Sequence, residues 1–242
     1  MNSKESHYEL AVVMPVYNEA GCIADVVNDW LAVLRGLDIR FTILVLNDGS
    51  TDDTLSALAA FQATPEVEVI DKVNSGHGPT ILRGYRRAVQ EAEWVFQCDS
   101  DNEMRAEHFP ALWEERADHD AVFGYRKGRV QGAGRAFISA VSRATVHLFF
   151  GRGVRDVNSP YRLMRSHLLG KIIDQIPADT FAPNVIISGT FARADCRILN
   201  IPVPHQPRQT GQVSIVKWKL WKSAAKAFFQ TIRCRPRISF SE

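Results

Sequence analysis

The sequence predicts an α/β domain built on a mostly parallel sheet with helices on both faces. Through the first half of the chain, short runs rich in Val, Ile and Leu alternate with stretches of helical periodicity, as strand–helix–strand units do. These runs are continuously apolar, the mark of parallel strands covered on both sides. Three of them end in carboxylates: residues 12–19 (VVMPVYNE), 43–53 (ILVLNDGSTDD) and 94–101 (WVFQCDSD).

Taken in order, residues 9–16 read as the first strand and 23–34 as a helix. Residues 41–46 form the second strand. Asp48-Gly-Ser-Thr-Asp-Asp-Thr then supplies turn and helix-capping residues before a helix over 55–61. A third strand is expected over 67–70, then the glycine-bearing loop 74–79, a helix over 81–91 and a fourth strand over 94–98. After a strand over 121–125 the alternation fades into a Gly- and Arg-rich loop, 126–135. There is no internal repeat.

Residues i and i+2 of an extended segment point the same way, so Asp99 and Asp101 aim at one place beyond the fourth strand. Open α/β sheets bind ligands beyond the carboxyl ends of their strands, which gathers Glu19, Asp48, Asp99 and Asp101 along one edge. Carboxylate oxygens suit Mg²⁺ or Mn²⁺, which complete their shells with substrate phosphates. A phosphate-bearing ligand with a divalent cation is the expected occupant. The loop 74–79 lacks a full dinucleotide or Walker pattern; its glycines are read as allowing a tight strand-to-helix turn, and His77 as a local hydrogen bonder. A dinucleotide-dependent dehydrogenase would want the glycine fingerprint after strand one, where this chain has Pro15-Val-Tyr-Asn.

The chain has 242 residues, 45% of them hydrophobic, and a formal net charge of +2. That is core enough for one sizeable domain and too little charge to argue for nucleic acid. From Arg193 to Arg237, ten basic residues face a single acid, Asp195, so an anionic partner is expected at this end. Cys22, Cys98, Cys196 and Cys234 have neither zinc-like nor disulfide-like spacing. With no signal-peptide core and no run of about 18 apolar residues, a cytoplasmic location is expected, peripheral at the membrane face.

PVYNEA (15–20), NDGSTDDT (47–54), the glycine loop and CDSD (98–101) occur in the order and spacing of family 2 glycosyltransferases of the GT-A fold, which the chain resembles over about 125 residues. Further motifs are similar to polyprenyl-phosphate glycosyltransferases typified by dolichol-phosphate mannose synthase: GYR (124–126), GRAFIS (134–139), SPYRLM (159–164) and IPVPHQPRQTGQVS (201–214). The resemblance implies a Rossmann-like sheet with a C-terminal amphipathic helix. It implies a GT-A domain over 1–213, with a nucleotide-sugar half (1–125) and an acceptor half (126–213), followed by a basic segment, 214–242. Pro15, Tyr17, Glu19, Asp48 and Asp99 would bind the donor, and Asp99, Asp101 and Glu103 would hold Mg²⁺ or Mn²⁺. Arg126, Arg135, Ser139 and Arg208 would bind the acceptor phosphate, with Asp101, Arg126 and Arg208 central to catalysis. The chain departs from the subfamily at Ser159-Pro-Tyr-Arg162, where Ser-Gly-Phe-Arg is usual; Pro160 fixes φ and removes a donor.

The implied activity is inverting transfer of a sugar from a nucleotide-diphosphate sugar to a polyprenyl phosphate. A phosphate acceptor is already anionic at neutral pH and needs cations to seat it rather than a base, and Arg suits that task. Two alternatives stand beside it. One is a family 2 enzyme with a saccharide or other hydroxyl acceptor, for which Asp156 is the candidate base; the other is a nucleotide-sugar-binding subunit without turnover. Residues 214–233 place Trp218, Trp221, Ala225, Phe228 and Ile232 at helical spacing, with Lys219, Lys222 and Lys226 largely on another face. Such a helix suits an anionic membrane surface; packing against the protein's own core or a partner subunit is the alternative.

Overall fold

The structure, a computed structural model, describes residues 8–127, 153–194 and 196–206. Its elements run β1 (Tyr8–Val16), α1 (Ile23–Arg35), β2 (Phe41–Asp48), α2 (Thr54–Leu58), β3 (Val67–Lys72), α3 (His77–Ala88), β4 (Ala92–Gln97), α4 (Phe109–Glu114), β5 (Ala121–Lys127), β6 (Arg162–Arg165), α5 (Ser166–Ile173), α6 (Pro183–Arg193) and β7 (Ile198–Pro204). Short 3₁₀ turns follow α2 and flank α4.

The described strands form one seven-stranded sheet in the order β3-β2-β1-β4-β6-β5-β7. β1 pairs in parallel with β2 and β4, β2 with β3, and β5 with β7. β6 runs antiparallel between β4 and β5, so the sheet is mostly parallel, as expected. Both faces are covered. Leu10, Val12, Met14, Ile43, Val45 and Phe96 pack toward α1 and α4. Ala11, Val13, Leu44, Leu46 and Val95 pack toward α3, α5 and α6. Burial on alternate faces of the same strands is why those runs are apolar at every position.

The expected elements of the first half are present, with shifted ends. The helix expected over 81–91 begins earlier, at His77. Gly76, at φ 90°, turns the chain directly into the helix. Pro79 falls in the first turn, where its missing N–H leaves no intrahelical bond unmade. The helix expected over 55–61 divides into α2 and a 3₁₀ turn. Past residue 125 the sheet continues, with β6 and β7 adding to strands from the first half.

β6 is held by an unusual core residue. Arg162 has no exposed surface. Its guanidinium donates to Ser159 O (2.9 Å), Val157 O (3.3 Å), Asn184 O (3.2 Å) and Ser188 Oγ (3.2 Å) and lies 5.1 Å from the Phe123 ring centroid. The preceding Tyr161 is equally buried, edge-on to Phe96 at 4.7 Å, and its hydroxyl donates to Arg105 O at 2.9 Å. Arg162→Leu strips donors from several buried carbonyls at once. Calorimetry should therefore show a loss of about 3 kcal/mol or more, or roughly 6–12 °C in melting temperature for a chain of this size. Arg162→Lys should not restore it, because a single ammonium cannot reach this spread of oxygens.

Candidate functional site

β1 lies between β2 and β4, and all three are parallel, so their carboxyl ends share one edge. Val16 is level with Asn47, and Val13 with Gln97. The chain winds outward from β1 to β2 and β3, then returns to place β4 on the other side of β1. This is the topological switch point at which open α/β sheets bind ligands. Pro15 and Tyr17 stand at the end of β1, Glu19 in the turn that follows, Asp48 at the end of β2, and Asp99 and Asp101 just past β4. The structure thus brings the predicted acidic strand ends to one edge.

The loops there are tied to one another. Asn18, in the left-handed region at φ 55°, donates from its backbone to Ser50 Oγ at 3.0 Å and accepts from Thr51 N at 2.8 Å. The backbone of the buried Glu19 donates to Thr54 Oγ1 at 2.8 Å, and the Thr54 hydroxyl donates to Asp52 Oδ1 at 2.5 Å. The run 47–54 is therefore a scaffold for the turn carrying Glu19, while Asp53, at the N-cap of α2, makes no side-chain capping hydrogen bond.

Asp48 has a full set of partners. Its carboxylate accepts from Lys72 Nζ, from Ser75 N (2.8 Å) and from Gly76 N (2.9 Å), and its carbonyl from Asn74 Nδ2 at 2.8 Å. Lys72 also donates to Ser75 Oγ (2.7 Å) and Thr80 Oγ1 (3.1 Å). Asp48 and Lys72 thus shape the glycine loop; Lys72 escapes sequence reading because one lysine at a strand end carries no pattern. Burial alone would raise the Asp48 carboxyl, but the hydrogen bonds from Lys72, Ser75 and Thr80, with the lysine's charge, hold it below the usual carboxylate range.

The acids after β4 are in a different situation. Asp101 is pushed up to about 7, first by burial and then by the charges of Asp99 and Glu103. Its carboxylate accepts from Glu103 N at 3.2 Å. Asp99 has Gln97 Nε2 at 3.4 Å and His77 Nε2 at 3.8 Å. His77 therefore overlooks Asp99 rather than serving only its own loop. Gln97, which sequence reasoning passed over, is fixed from behind. Its Oε1 accepts from Tyr85 Oη and Asn184 Nδ2, both at 2.8 Å, which turns its Nε2 toward Asp99. A glutamine in an otherwise apolar strand is the signal that marks it.

Crowded carboxylates, with Asp101 raised by like charges, fit a divalent cation, which removes the repulsion. The expected three-ligand set is not assembled, however. Glu103 is turned to His205, 2.8 Å from its Oε2, and its carbonyl accepts from Gln206 N at 2.9 Å. Among the described residues, no group of three or more His, Cys, Asp or Glu stands ready to hold a metal.

On the far side of β6, Arg126 forms a two-pronged ion pair with Asp156. Asp156 is the residue expected to act as base for a hydroxyl acceptor. Burial would raise its carboxyl, yet hydrogen bonds from Arg126 and that residue's charge bring it below the usual range, which suits a base poorly. Arg135, Ser139 and Arg208 lie outside the described residues, as does the expected C-terminal amphipathic helix.

An open, mostly parallel sheet with acidic strand ends at its switch point defines an α/β domain of the kind that binds ligands beyond its strand ends. The sequence model of Glycosyl transferase family 2 matches residues 11–172, and the chain belongs to that family. It is 29% identical over 216 residues to the undecaprenyl-phosphate 4-deoxy-4-formamido-L-arabinose transferase of Sodalis glossinidius (strain morsitans), covering 88% of this chain and 64% of that protein. The protein of the same name from Pectobacterium carotovorum subsp. carotovorum (strain PC1) is 28% identical over 206 residues, covering 84% and 61%. The chain thus spans less than two thirds of the length of these relatives. Glucosyl-3-phosphoglycerate synthase from Mycobacterium tuberculosis, solved with Mn²⁺, uridine-diphosphate and phosphoglyceric acid, matches with a TM-score of 0.70 at 18% identity, over 96% of this chain and 80% of that one. The fold is GT-A.

The two kinds of carboxylate separate experimentally. The folded protein holds Asp48 below its ordinary 3.8, so its stabilisation is present above that value and is lost as pH falls through the depressed one. Urea titrations should show wild type exceeding Asp48→Asn most at neutral pH, with the gap closing below about pH 3.8. A gap that ignores pH would mean that the charge of Asp48 does not hold the loop.

Proposed function

We propose that this chain is a metal-dependent, inverting glycosyltransferase that moves a sugar from a nucleotide-diphosphate donor to a polyprenyl phosphate. The observation that carries this reading is the pair Asp99 and Asp101, set past β4 at the switch point beside the buried Glu19. The names of the relatives, undecaprenyl-phosphate transferases, support the acceptor class. The Mn²⁺ and uridine-diphosphate bound to the structural neighbour support the donor class and the metal.

In this reading Pro15, Tyr17 and Glu19 line the nucleotide pocket, and Asp48 shapes its wall through the glycine loop. Asp99 and Asp101 hold the cation, with Glu103 joining when it leaves His205. The cation, when bound, supplies Lewis-acid stabilisation of the leaving diphosphate. Arg126, with Arg135, Ser139 and Arg208, seats the acceptor phosphate. The depressed Asp156 favours this acceptor over a hydroxyl, which would need a competent base.

Incubation with a panel of nucleotide sugars and undecaprenyl phosphate should give a glycosylated lipid phosphate. The reaction should require Mn²⁺ or Mg²⁺, stop with chelator, and be abolished in Asp101→Ala with little change in melting temperature. Turnover that survives chelation overturns the metal assignment; robust transfer to undecaprenol overturns the acceptor.

The spacing of aromatic and basic residues over 214–233 supports a membrane-peripheral placement. Among the described residues no helix is long and apolar enough to cross a membrane. Burying two indoles at an interface contributes several kcal/mol at about 25 cal/mol per Å², and each nearby Lys adds about 1 kcal/mol on anionic lipid. Changing Trp218 and Trp221 to Ser should therefore release the protein from phosphatidylglycerol vesicles in a flotation assay and leave the melting temperature in place. A large drop in melting temperature without prior vesicle binding would assign the stripe to the protein core.

A further inference from the structure

Arg126, near the end of β5, meets Asp156 through two parallel hydrogen bonds, Nε to Oδ2 at 2.8 Å and Nη2 to Oδ1 at 3.1 Å. Nη2 also reaches Asn158 O at 3.5 Å. A guanidinium carries five N–H groups in a rigid plane. Asp156 takes the Nε and Nη2 edge, so the plane is fixed, and among the described residues Nη1 has no hydrogen-bond acceptor. Both side chains keep some exposure, 12% for Arg126 and 23% for Asp156.

The turn that carries Asp156 is itself immobilised. Asn158 N donates to Asp156 Oδ1 at 3.3 Å and Ser159 N to Asp156 O at 3.2 Å. From beneath, the buried Arg162 grips Val157 O and Ser159 O, and Ser188 Oγ donates to Val157 O at 2.9 Å. A fully buried cation thus fixes the turn, the turn fixes Asp156, and Asp156 fixes Arg126.

We propose that Asp156 is a positioning residue, holding Arg126 by its Nε edge so that the Nη1 edge is presented to the phosphate of the acceptor. The proposal rests on reading Arg126 as an acceptor-phosphate ligand. It makes a counterintuitive demand, because Asp156 is negative and lies beside a site for an anion. If charge alone governed binding, removing that negative charge would tighten the acceptor. If orientation governs, removing it loosens the acceptor.

The test uses the full chain with a nucleotide-sugar donor and a short-chain polyprenyl phosphate. In Asp156→Asn the acceptor KM should rise by between about tenfold and a hundredfold, the range that misplacing a positioning group produces. The donor KM and melting temperature should stay at wild-type values. In an Arg126→Lys background the same change should add nothing, since Asp156 acts through Arg126. An acceptor KM that is unchanged or lower refutes the proposal. So does a collapse of kcat with KM intact, the signature of a lost base, or a parallel loss of donor binding and melting temperature, the signature of a structural role. A second readout does not depend on turnover. In wild type the Nε–H of Arg126 should give a slowly exchanging ¹⁵N side-chain resonance, assigned by its absence in Arg126→Lys, that vanishes in Asp156→Asn. If no polyprenyl phosphate is a substrate, the proposed acceptor is wrong, and this resonance alone decides whether Asp156 orders Arg126; its persistence in Asp156→Asn refutes the positioning role.

Discussion

A guanidinium with no access to water must find oxygens inside the protein, and much of this structure follows from where Arg162 finds them. Burying an uncompensated charge costs several kcal/mol, so the main-chain oxygens of residues 157, 159 and 184 are held in place as firmly as the arginine is. In the sheet register Arg162 stands beside Gln97 on β4 and beside Phe123 on β5. Gln97 is two residues before Asp99, and Phe123 three before Arg126. One buried cation thereby sits between the strand that delivers the acidic pair and the strand that delivers the basic group. A shift of β6 by one residue would put Arg162 on the other face of the sheet and dismantle both.

The acids of the site occupy different electrostatic environments. Asp48 and Asp156 each face a cation of their own, Lys72 and Arg126, and both lie below the usual carboxylate range. Asp101 faces other carboxylates and lies well above it. The first two are satisfied in the protein as it stands and serve as struts. Asp101, raised first by burial and then by its carboxylate neighbours, has no cation of its own among the described residues. The placement of partners, more than the count of acids along the edge, distinguishes the carboxylates paired with a cation from those crowded against one another.

How much of this was legible in the sequence follows from the same distinction. Parallel strands covered on both faces announce themselves as apolar runs, so β1, β2 and β4 and the acids at their ends could be read directly. The start of α3 could not, because His77-Gly-Pro looks like a loop until Gly76 takes its positive φ. β6 is four residues long and begins with a charged residue, and nothing in its pattern says that the arginine points inward. Asp156 and Arg126 are separated by 30 residues and meet only because β6, which follows the turn carrying Asp156, pairs with β5, which carries Arg126. Lys72, Gln97 and Asn184 are single polar residues whose roles arise from contacts across the sheet. Periodicity reports which face of an element is buried; it does not report which buried polar group answers another.

The departure at Ser159-Pro-Tyr-Arg162 can be understood on these terms. Tyr161 and Arg162 point into the core, where the tyrosine packs among Trp30 and Phe96 and its hydroxyl caps Arg105 O beneath the acidic loop. Pro160 is partly exposed between them and the buried Ser159. The turn is closed by Tyr161 N donating to Ser159 Oγ, by Gly124 N donating to Tyr161 O, and by the Arg162 grip. None of these bonds uses the amide of residue 160, so a proline there removes a donor the turn does not employ, and its fixed φ narrows the unfolded chain's freedom at a position already ordered in the fold. The replacement is therefore compatible with the frame that fixes Asp156. Tyrosine in place of the more usual phenylalanine adds a hydroxyl that ties this frame to Arg105 O, in the segment following Asp101.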